Sequence, residues 1–319
     1  MKCAICCNKT NNETIFLKEM MFGFRDQFTY FKCSNCGCIQ IAEVPNNLHK
    51  YYPQTYYSFK KIQFPIKRSF FRKLQYKYIA GANKNLFGKI AVYKYKPPSY
   101  YEWLKNLNLI NFNSKILDVG CGNGELLAKM YRLGFNDLTG IDPFIASDFF
   151  YNKTLRVLKK TVFEIEGNYD VIMLHHSLEH MQNQIEILKK LCSLLNNNGK
   201  ILIRIPIVSK ALMHKYKLNV VSLDAPRHLY IHTLNSINLA LTEADLTVKK
   251  TVFDSDVFAL LASEQYVRDV SILNDDRSYF VNQSNSIFSS TQIEEFKREI
   301  KELNKTCQSD NVALYITKT

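Results

Sequence analysis

The sequence predicts an α/β fold for most of the chain, preceded by a small cysteine-rich module. Two observations support the α/β part. An apolar run at 115–119 is followed by three glycines at alternate positions and then by a helical pattern over 126–133. Later apolar runs, YDVIML and GKILIRIP, read as buried strands separated by helical segments. The module is predicted from two Cys-x-x-Cys pairs near the start of the chain.

Composition and charge limit the class of protein. Hydrophobic residues make up 46% of the 319 residues and aromatic residues 13%, which excludes wholesale disorder. The net charge of +13 favours an anionic neighbour, such as nucleic acid, a membrane surface or a phosphorylated substrate. The start of the chain lacks a signal-peptide pattern, and no apolar run reaches the roughly 18 residues of a membrane span. We therefore expect a cytoplasmic protein, in which disulfides are rare.

The four cysteines of the paired motifs predict a metal site. Two Cys-x-x-Cys knuckles, Cys3 with Cys6 and Cys33 with Cys36, can present four thiolates to one Zn²⁺. Four thiolates leave no open coordination position, so the zinc would be structural rather than catalytic. Cys7 and Cys38 are spare neighbours that could substitute as ligands. The alternative is a set of reduced cysteines packed in a small core. Residues 1–50 are thus predicted to form a zinc-ribbon-like module, called here the cysteine module.

A basic region follows the cysteine module, over residues 51–100. Residues 44–101 contain no Asp or Glu but hold twelve Lys and Arg residues. From Phe70 to Tyr95 the pattern is roughly helical, with basic residues on one side and apolar or aromatic residues on the other. One interpretation is a helix pair that bridges to the large domain. The other is a surface for anionic lipid or for a phosphate-bearing substrate.

The glycine-rich loop and a later aspartate indicate a ligand with a ribose but no phosphate. Gly120, Gly122 and Gly124 do not form the G-x-G-x-x-G of dinucleotide-binding proteins, and no phosphate-loop lysine follows. Asp118, at the strand end, would repel phosphate and would suit an amino group or a sulfonium. Asp142 follows the next strand, where a carboxylate can accept both ribose hydroxyls. S-adenosylmethionine fits this description.

Four segments together resemble a class I S-adenosylmethionine-dependent methyltransferase over 114–207: LDVGCGNGELL, GIDP, YDVIMLHHSLEHM and LLNNNGKILIRIP. The resemblance implies a Rossmann-like sheet of seven strands with helices on both faces, in a catalytic domain over 101–319. It implies that the loop lies under the methionine part of the cofactor and that Asp142 holds the ribose. His175, which ends the fourth strand at the mouth of the sheet, is expected to contact the cofactor together with Asp118, Gly120, Gly122 and Gly124. An acidic residue that many members use for adenine is missing, which leaves Val162 and Phe163 as expected contacts.

A narrower resemblance extends over nearly the whole chain. The cysteine pairs, the YYPQTYYSF segment, the basic region, LDAPRHLYIHT and SEQYVR are similar to enzymes of surface-polysaccharide and sugar biosynthesis clusters. This implies a saccharide, nucleotide-sugar or lipid-linked saccharide as the methyl acceptor. Related sugar C-methyltransferases carry a further C-terminal domain, for which this chain ends too soon. We therefore expect O-methylation of a hydroxyl group.

A sugar hydroxyl is a poor nucleophile, so a general base is expected, and histidine is the commonest. The candidates are His176 after the fourth strand, His180 one turn later, and His228 in the insertion after the fifth strand. Arg227 is expected to bind an acceptor phosphate, and Asp224 to orient the base. Two other possibilities stay open: a reaction without a side-chain base, and a structural role for Glu179 and His180 as a cap pair.

Other functions are compatible with parts of the pattern. An RNA methyltransferase could use the cysteine module and the basic region to bind nucleic acid, although no Asn-Pro-Pro-Tyr motif follows the fourth strand. Methylation of another small molecule is also compatible. A non-catalytic protein that has kept the fold is disfavoured by the intact glycine loop and Asp142. The basic region is compatible with peripheral contact to the anionic inner face of a membrane, and the sequence does not indicate an oligomeric state.

Overall fold

The computed structural model describes residues 1–52, 62, 66–81 and 86–319. Most of the YYPQTYYSF segment and the basic-region residues Lys60, Lys61, Phe64 and Lys84 lie outside the described residues. In chain order, the strands are β1 (Glu13–Lys18), β2 (Gln27–Lys32), β3 (Ile39–Ile41), β4 (Lys115–Val119), β5 (Asp137–Ile141), β6 (Phe149–Phe150), β7 (Leu155–Leu158), β8 (Tyr169–His175), β9 (Leu195–Pro206), β10 (Tyr230–Ile231), β11 (Leu246–Phe253) and β12 (Asn311–Lys318).

The described part of the chain forms a main sheet of eight strands, in the order β11-β12-β9-β8-β4-β5-β7-β6. Neighbouring strands from β9 to β7 are parallel, whereas β12 lies antiparallel between β9 and β11. The prediction of seven strands is therefore wrong by one. The additional strand, β6, has only two residues and pairs antiparallel to β7 at the sheet edge. Two residues are too few to produce a detectable alternation in sequence.

The described ranges contain nine α-helices: α1 (Phe70–Ile79), α2 (Leu86–Lys94), α3 (Tyr100–Asn106), α4 (Glu125–Leu133), α5 (Gln184–Leu194), α6 (Lys210–Tyr216), α7 (Leu234–Thr242), α8 (Phe258–Val267) and α9 (Ser290–Lys305). Alternate residues of β4 belong to different cores: Leu117 and Val119 pack with α5 and α7, whereas Ile116 packs with α1, α3 and α4. Helices therefore cover both faces of the sheet, as predicted.

The cysteine module adds a second, four-stranded antiparallel sheet of order β1-β2-β3-β10. Its last strand, Tyr230–Ile231, comes from the insertion after β9, so chain segments about 190 residues apart complete one sheet. The four paired cysteines are part of the core that also holds α5 and α7. The Thr233 hydroxyl donates to the Cys36 carbonyl at 2.7 Å. The module is thus attached directly to the helical layer on that face.

The described part of the basic region contains two helices, α1 and α2. Tyr76 of α1 is fully buried, and its ring packs edge-on against Tyr101 and Phe112 on the face opposite the cysteine module. The side chain of Ser69 caps the start of α1 by accepting a hydrogen bond from the Arg72 amide. No helix in the described ranges has the length and apolar character needed to cross a bilayer.

Candidate active site

A cavity of about 960 Å³ lies where the parallel strands β4, β5, β8 and β9 end. The loops that follow these strands line it, together with Met21, Leu48 and Tyr52 from the start of the chain. Ligands of open α/β sheets bind at this edge. The volume is at the upper end of the range of about 300–1,000 Å³ for small-molecule sites, which leaves room for a cofactor and an acceptor.

The glycine loop is held against the end of β8. Gly120 has a φ of 71°, and a Cβ atom there would lie 2.5 Å from the Cβ of Ser177. The Ser177 hydroxyl donates to the Val119 carbonyl at 2.9 Å, so Ser177 cannot easily move away. Gly122 also has a positive φ, of 54°, and both glycines line the cavity. The alternate glycines are therefore required by the close approach and by the left-handed backbone.

Asp142 connects the loop after β5 to the glycine loop. Its Oδ2 accepts a hydrogen bond from the Gly122 amide and its Oδ1 accepts one from the Phe144 amide, each at 2.9 Å. Burial raises the pKa of Asp142, and these two amides partly offset that shift. Each carboxylate oxygen keeps a second lone pair, so the group that lines the cavity can still accept ribose hydroxyls.

Asp118 and Gly124, the other predicted cofactor residues of the loop, are not among the residues that line the cavity. Asp118 is buried at the end of β4, and burial together with the nearby Asp142 raises its pKa to about 8. Gly124 has a φ of 80° and precedes α4; a Cβ there would lie 2.5 Å from Val157. Both residues therefore support the conformation of the loop without lining the cavity.

The residues that were expected to contact adenine also line the cavity. Val162 and Phe163, expected beside adenine, line the cavity together with Lys160 and Thr161. Bare backbone at Gly120 and Gly122, a carboxylate for the ribose and an apolar wall near Phe163 suit S-adenosylmethionine. These residues would hold it.

His175 lines the cavity beside Trp103, with ring centroids 5.0 Å apart. Both of its ring nitrogens are buried and have no hydrogen-bond partner among the described residues. Burial, with the nearby Arg204, lowers the pKa of His175 well below its ordinary value, so the ring is neutral. A neutral imidazole can donate one hydrogen bond and accept another, which suits a polar ligand atom.

The three histidines proposed as bases surround the carboxylate of Glu179, and we call these four residues the histidine cluster. His176 follows β8 with a φ of 50°, and its Nδ1 lies 3.5 Å from Glu179 Oε1. The rings of His180 and His228 are 4.8 Å apart. All three histidines line the cavity, so the structure brings the candidates together. More than one of them could therefore serve as the general base.

Hydrogen bonds fix the tautomers of two of these histidines. The Nδ1–H of His180 donates to the Arg227 carbonyl and that of His228 donates to the Ser222 carbonyl, each at 2.8 Å. The Nε2 atoms of both rings therefore carry the free lone pair. Burial and the neighbouring His228 lower the pKa of His180 to about 4, so it is neutral at pH 7.

Glu179 is a residue whose place in the site the sequence analysis missed. Its side chain is only 1% exposed, and neither carboxylate oxygen has a hydrogen-bond partner among the described residues. Burial alone would raise its pKa, but the three surrounding histidines lower the pKa to about 2. A buried carboxylate surrounded by imidazoles can stabilise a proton on one of them. The ligand atoms of Glu179, His180 and His228 lie within 4.8 Å of one another, so they could also hold a cation.

Arg227 does not face the cavity. It is 1% exposed, and its guanidinium is bonded to Asp224 and lies 3.3 Å from Glu19. The expectation that Arg227 binds an acceptor phosphate does not fit this placement, because its N–H groups already donate to Asp224, Glu19 and the Tyr51 carbonyl. Asp224 does line the cavity, with Oδ2 3.8 Å from His228 Nε2. Burial would raise the pKa of Asp224, but Arg227 lowers it.

The surface for a phosphate-bearing substrate, which one interpretation of the basic region predicted, is not part of the described cavity wall. None of the described residues of α1 or α2 lines the cavity, because α1 packs on α3 and α4, and α2 packs on α1. Lys160 and Arg204 are the cations of the described lining, and Arg204 is paired with Asp254 at 2.8 Å. Four acidic residues line the acceptor side instead: Asp224, Asp254, Asp256 and Asp310.

The four paired cysteines meet away from the cavity. Sγ of Cys3 lies 3.6 Å from Sγ of Cys36, and Sγ of Cys6 lies 3.5 Å from Sγ of Cys33. All four sulfurs lie within 4.8 Å of one another. A tetrahedral zinc with Zn–S bonds of about 2.3 Å separates its sulfurs by roughly 3.8 Å, so the cluster could hold this ion. Cys38 points instead towards His232 Nδ1, 4.0 Å away.

Comparison with known proteins agrees with this geometry. Residues 93–251 match a family described as "Methyltransferase domain". A "Ubiquinone biosynthesis O-methyltransferase" of Shewanella pealeana is 28% identical over 135 residues, which cover 35% of this chain and 57% of that protein. An "EEF1A lysine methyltransferase 2" of Danio rerio is 37% identical over 97 residues, covering 30% of this chain and 36% of that protein. The alignments thus span less than two thirds of either relative.

Among solved structures, a magnesium protoporphyrin IX methyltransferase from Synechocystis PCC 6803 aligns with 77% of this chain and 93% of its own, at 14% identity and a TM-score of 0.42. The names of these relatives indicate different methyl acceptors, so the likeness does not identify an acceptor for this chain. The family match and the fit of the glycine loop to S-adenosylmethionine nevertheless both indicate a methyltransferase domain. Residues 93–251 form a class I S-adenosylmethionine-dependent methyltransferase domain.

Proposed function

We propose that the chain transfers a methyl group from S-adenosylmethionine to a hydroxyl group of a saccharide acceptor that is free, nucleotide-linked or lipid-linked. The observation that carries the proposal is one cavity with a cofactor cradle at Gly120, Gly122 and Asp142 and with the histidine cluster also in its wall. Acidic side chains beside the cluster can accept hydrogen bonds from sugar hydroxyls. Few cations line the cavity, so we place any carrier phosphate outside it.

In this mechanism S-adenosylmethionine, when bound, supplies an activated methyl group. His228 is the base we favour, because its Nδ1–H is held by the Ser222 carbonyl and its Nε2 is free to take the proton of the acceptor hydroxyl. The resulting imidazolium would be stabilised by Asp224, 3.8 Å from Nε2, and by Glu179. His176 is the second candidate, since Glu179 is 3.5 Å from its Nδ1.

Acceptor assays separate this proposal from its alternatives. Purified protein would be incubated with S-adenosylmethionine and panels of nucleotide sugars, phenols and RNA, and S-adenosylhomocysteine release would be measured. We expect turnover only with a saccharide, and His228→Gln to lower kcat at unchanged cofactor affinity, with His176→Gln as its comparison. Turnover with RNA or a phenol alone would contradict the saccharide assignment.

Another small molecule is the second candidate acceptor. The apolar residues Met21, Leu48 and Phe258 line the cavity and could contact a hydrophobic ring. RNA has less support, because the described part of the basic region does not line the cavity. The phenol arm of the assay tests the first of these alternatives directly.

We also propose that Cys3, Cys6, Cys33 and Cys36 bind one structural Zn²⁺. The sulfur separations support this, as does a hydrogen bond of 2.8 Å from the Gln40 side-chain amide to Cys3 Sγ, which suits a thiolate. The zinc would fix the cysteine module, which itself supplies Met21 and Leu48 to the cavity wall.

A further inference from the structure

We propose that the basic helices α1 and α2 form a docking surface for an anionic lipid bilayer. The surface consists of exposed aromatic residues of both helices and of the cations around them. It belongs to the face of the sheet that α1, α3 and α4 cover, and not to the face that holds the cysteine module. The inference does not rest on the identity of the methyl acceptor.

The aromatic residues of this surface are unusually exposed. Phe70 and Phe71 of α1 are 72% and 69% exposed, and Phe87 and Tyr93 of α2 are 72% and 95% exposed. The Gln75 side chain donates to the carbonyls of Ala91 and Tyr95, which holds the two helices together. The rings of Phe70 and Phe71 also contact each other, with centroids 6.3 Å apart. Large exposed apolar side chains of this kind indicate an interaction site.

The cations of this segment have no acidic partner among the described residues, although Arg68 lies over the Tyr131 ring and Lys73 and Lys77 lie over the Phe112 ring. Eight described Lys and Arg residues lie between positions 66 and 96, and none has an acidic oxygen of the described residues within 4.0 Å: Lys67, Arg68, Arg72, Lys73, Lys77, Lys89, Lys94 and Lys96. Residues 44–101 contain no Asp or Glu, so no nearby acid of that segment neutralises them. By contrast, several exposed lysines elsewhere are paired, for example Lys215 with Glu299 at 2.6 Å.

Exposed aromatic rings on helices whose cations lack acidic partners match an anionic membrane surface better than they match a protein or a nucleic acid. Interfacial helices carry Lys and Arg on the polar face and large apolar residues on the other, so the rings enter the headgroup boundary while the cations meet anionic lipids. Each cation near the surface strengthens binding on the order of fivefold at physiological ionic strength. A second copy of this positively charged face would repel the first.

Vesicle flotation tests the proposal. Full-length protein would be mixed with vesicles of phosphatidylcholine alone or of phosphatidylcholine with phosphatidylserine, at low and high salt. We expect binding to the phosphatidylserine vesicles that weakens at high salt, and little binding to phosphatidylcholine. Phe70→Ser/Phe71→Ser and Lys89→Glu/Lys94→Glu should each reduce binding by about tenfold or more.

The matched control is Lys301→Glu/Lys305→Glu, which makes the same charge change on α9. Unfolding temperatures confirm that each variant is folded. The proposal is overturned if the wild-type protein does not bind phosphatidylserine vesicles, or if the α9 control loses as much binding as Lys89→Glu/Lys94→Glu. It is also overturned if the aromatic substitutions abolish self-association or RNA binding and leave vesicle binding unchanged. Methyl transfer to a water-soluble acceptor is measured in parallel, so a failed function assignment is seen separately.

Discussion

The Gly122 amide donates a hydrogen bond of 2.9 Å to the carboxylate of Asp142, so the glycine loop and this aspartate form one unit. These residues follow two neighbouring parallel strands, β4 and β5. The acid therefore has two tasks: it fixes the loop after β4, and it offers its remaining lone pairs to a ligand. A substitution at Asp142 should affect both.

We expect Asp142→Ala to weaken binding of S-adenosylhomocysteine by at least about tenfold, because hydrogen bonds to a charged group contribute about 1.5–3 kcal/mol each. Isothermal titration calorimetry measures the affinity. The control is Asp137→Ala, at the opposite end of the same strand, which should bind normally. Equal affinities in Asp142→Ala and the wild type would contradict the assignment of this cradle.

Gly120→Ala should displace the loop. The added Cβ would lie 2.5 Å from Ser177 Cβ, and the φ of 71° disfavours any side chain. We expect the free energy of unfolding to fall by about 2–5 kcal/mol, with loss of cofactor binding. Gly81→Ala is the matched control: its φ is 75°, but no heavy atom lies within 4 Å of its added Cβ. Gly81→Ala should lower the free energy of unfolding by only about 1–2 kcal/mol. Similar losses in both variants would show that contact with Ser177 is unimportant.

Several elements of this site could be predicted from the sequence because their signals are local. The strand over 115–119 has the predicted bounds, and the helix after the loop begins one residue earlier than predicted. The four cysteines that meet were identified from their spacing alone. Turn glycines and Cys-x-x-Cys pairs constrain the chain within a few residues, so neighbouring sequence suffices.

The relationships that the sequence did not reveal join distant segments. Arg227 pairs with Glu19 across more than two hundred residues, and β10 completes the sheet of the cysteine module. Glu179 looked like a helix-cap partner, whereas the return of the chain at His228 places it inside the histidine cluster. Sequence periodicity and spacing cannot predict such pairings, because they depend on where the insertion after β9 packs in the folded chain.

Glu179→Gln should lower turnover without changing cofactor affinity. The substitution keeps the shape but removes the negative charge that stabilises a protonated imidazole, so the base holds its proton less firmly. We expect kcat to fall by about tenfold to a hundredfold, and the acid limb of the pH–rate profile to shift to lower pH. Glu186→Gln, on the exposed side of α5, is the control. An unchanged pH profile with wild-type kcat would exclude Glu179 from the reaction.

Cys33→Ser/Cys36→Ser should abolish zinc binding. Metal analysis of the wild-type protein is expected to give about one zinc per chain, and the double variant none. Its unfolding temperature should also fall, because metal binding contributes to folding. Cys7→Ser, at an exposed cysteine outside the cluster, should keep both the zinc and the stability. Full zinc content in the double variant would show that other ligands hold the metal.

Asp118 should make the stability of the protein depend on pH. Burial and the nearby Asp142 raise the pKa of this carboxyl from an ordinary value of 3.8 to about 8. Between these values the folded state keeps a proton that the unfolded state has released. The contribution to stability is therefore fully present below pH 4 and is lost as the pH rises towards 8, by up to about 1.4 kcal/mol per pH unit.

Asp118→Asn cannot ionise, so its free energy of unfolding should fall less than that of the wild type over this range. Urea denaturation at several pH values measures both slopes, with Asp137→Asn as the control, and parallel slopes for wild type and Asp118→Asn would contradict a raised pKa.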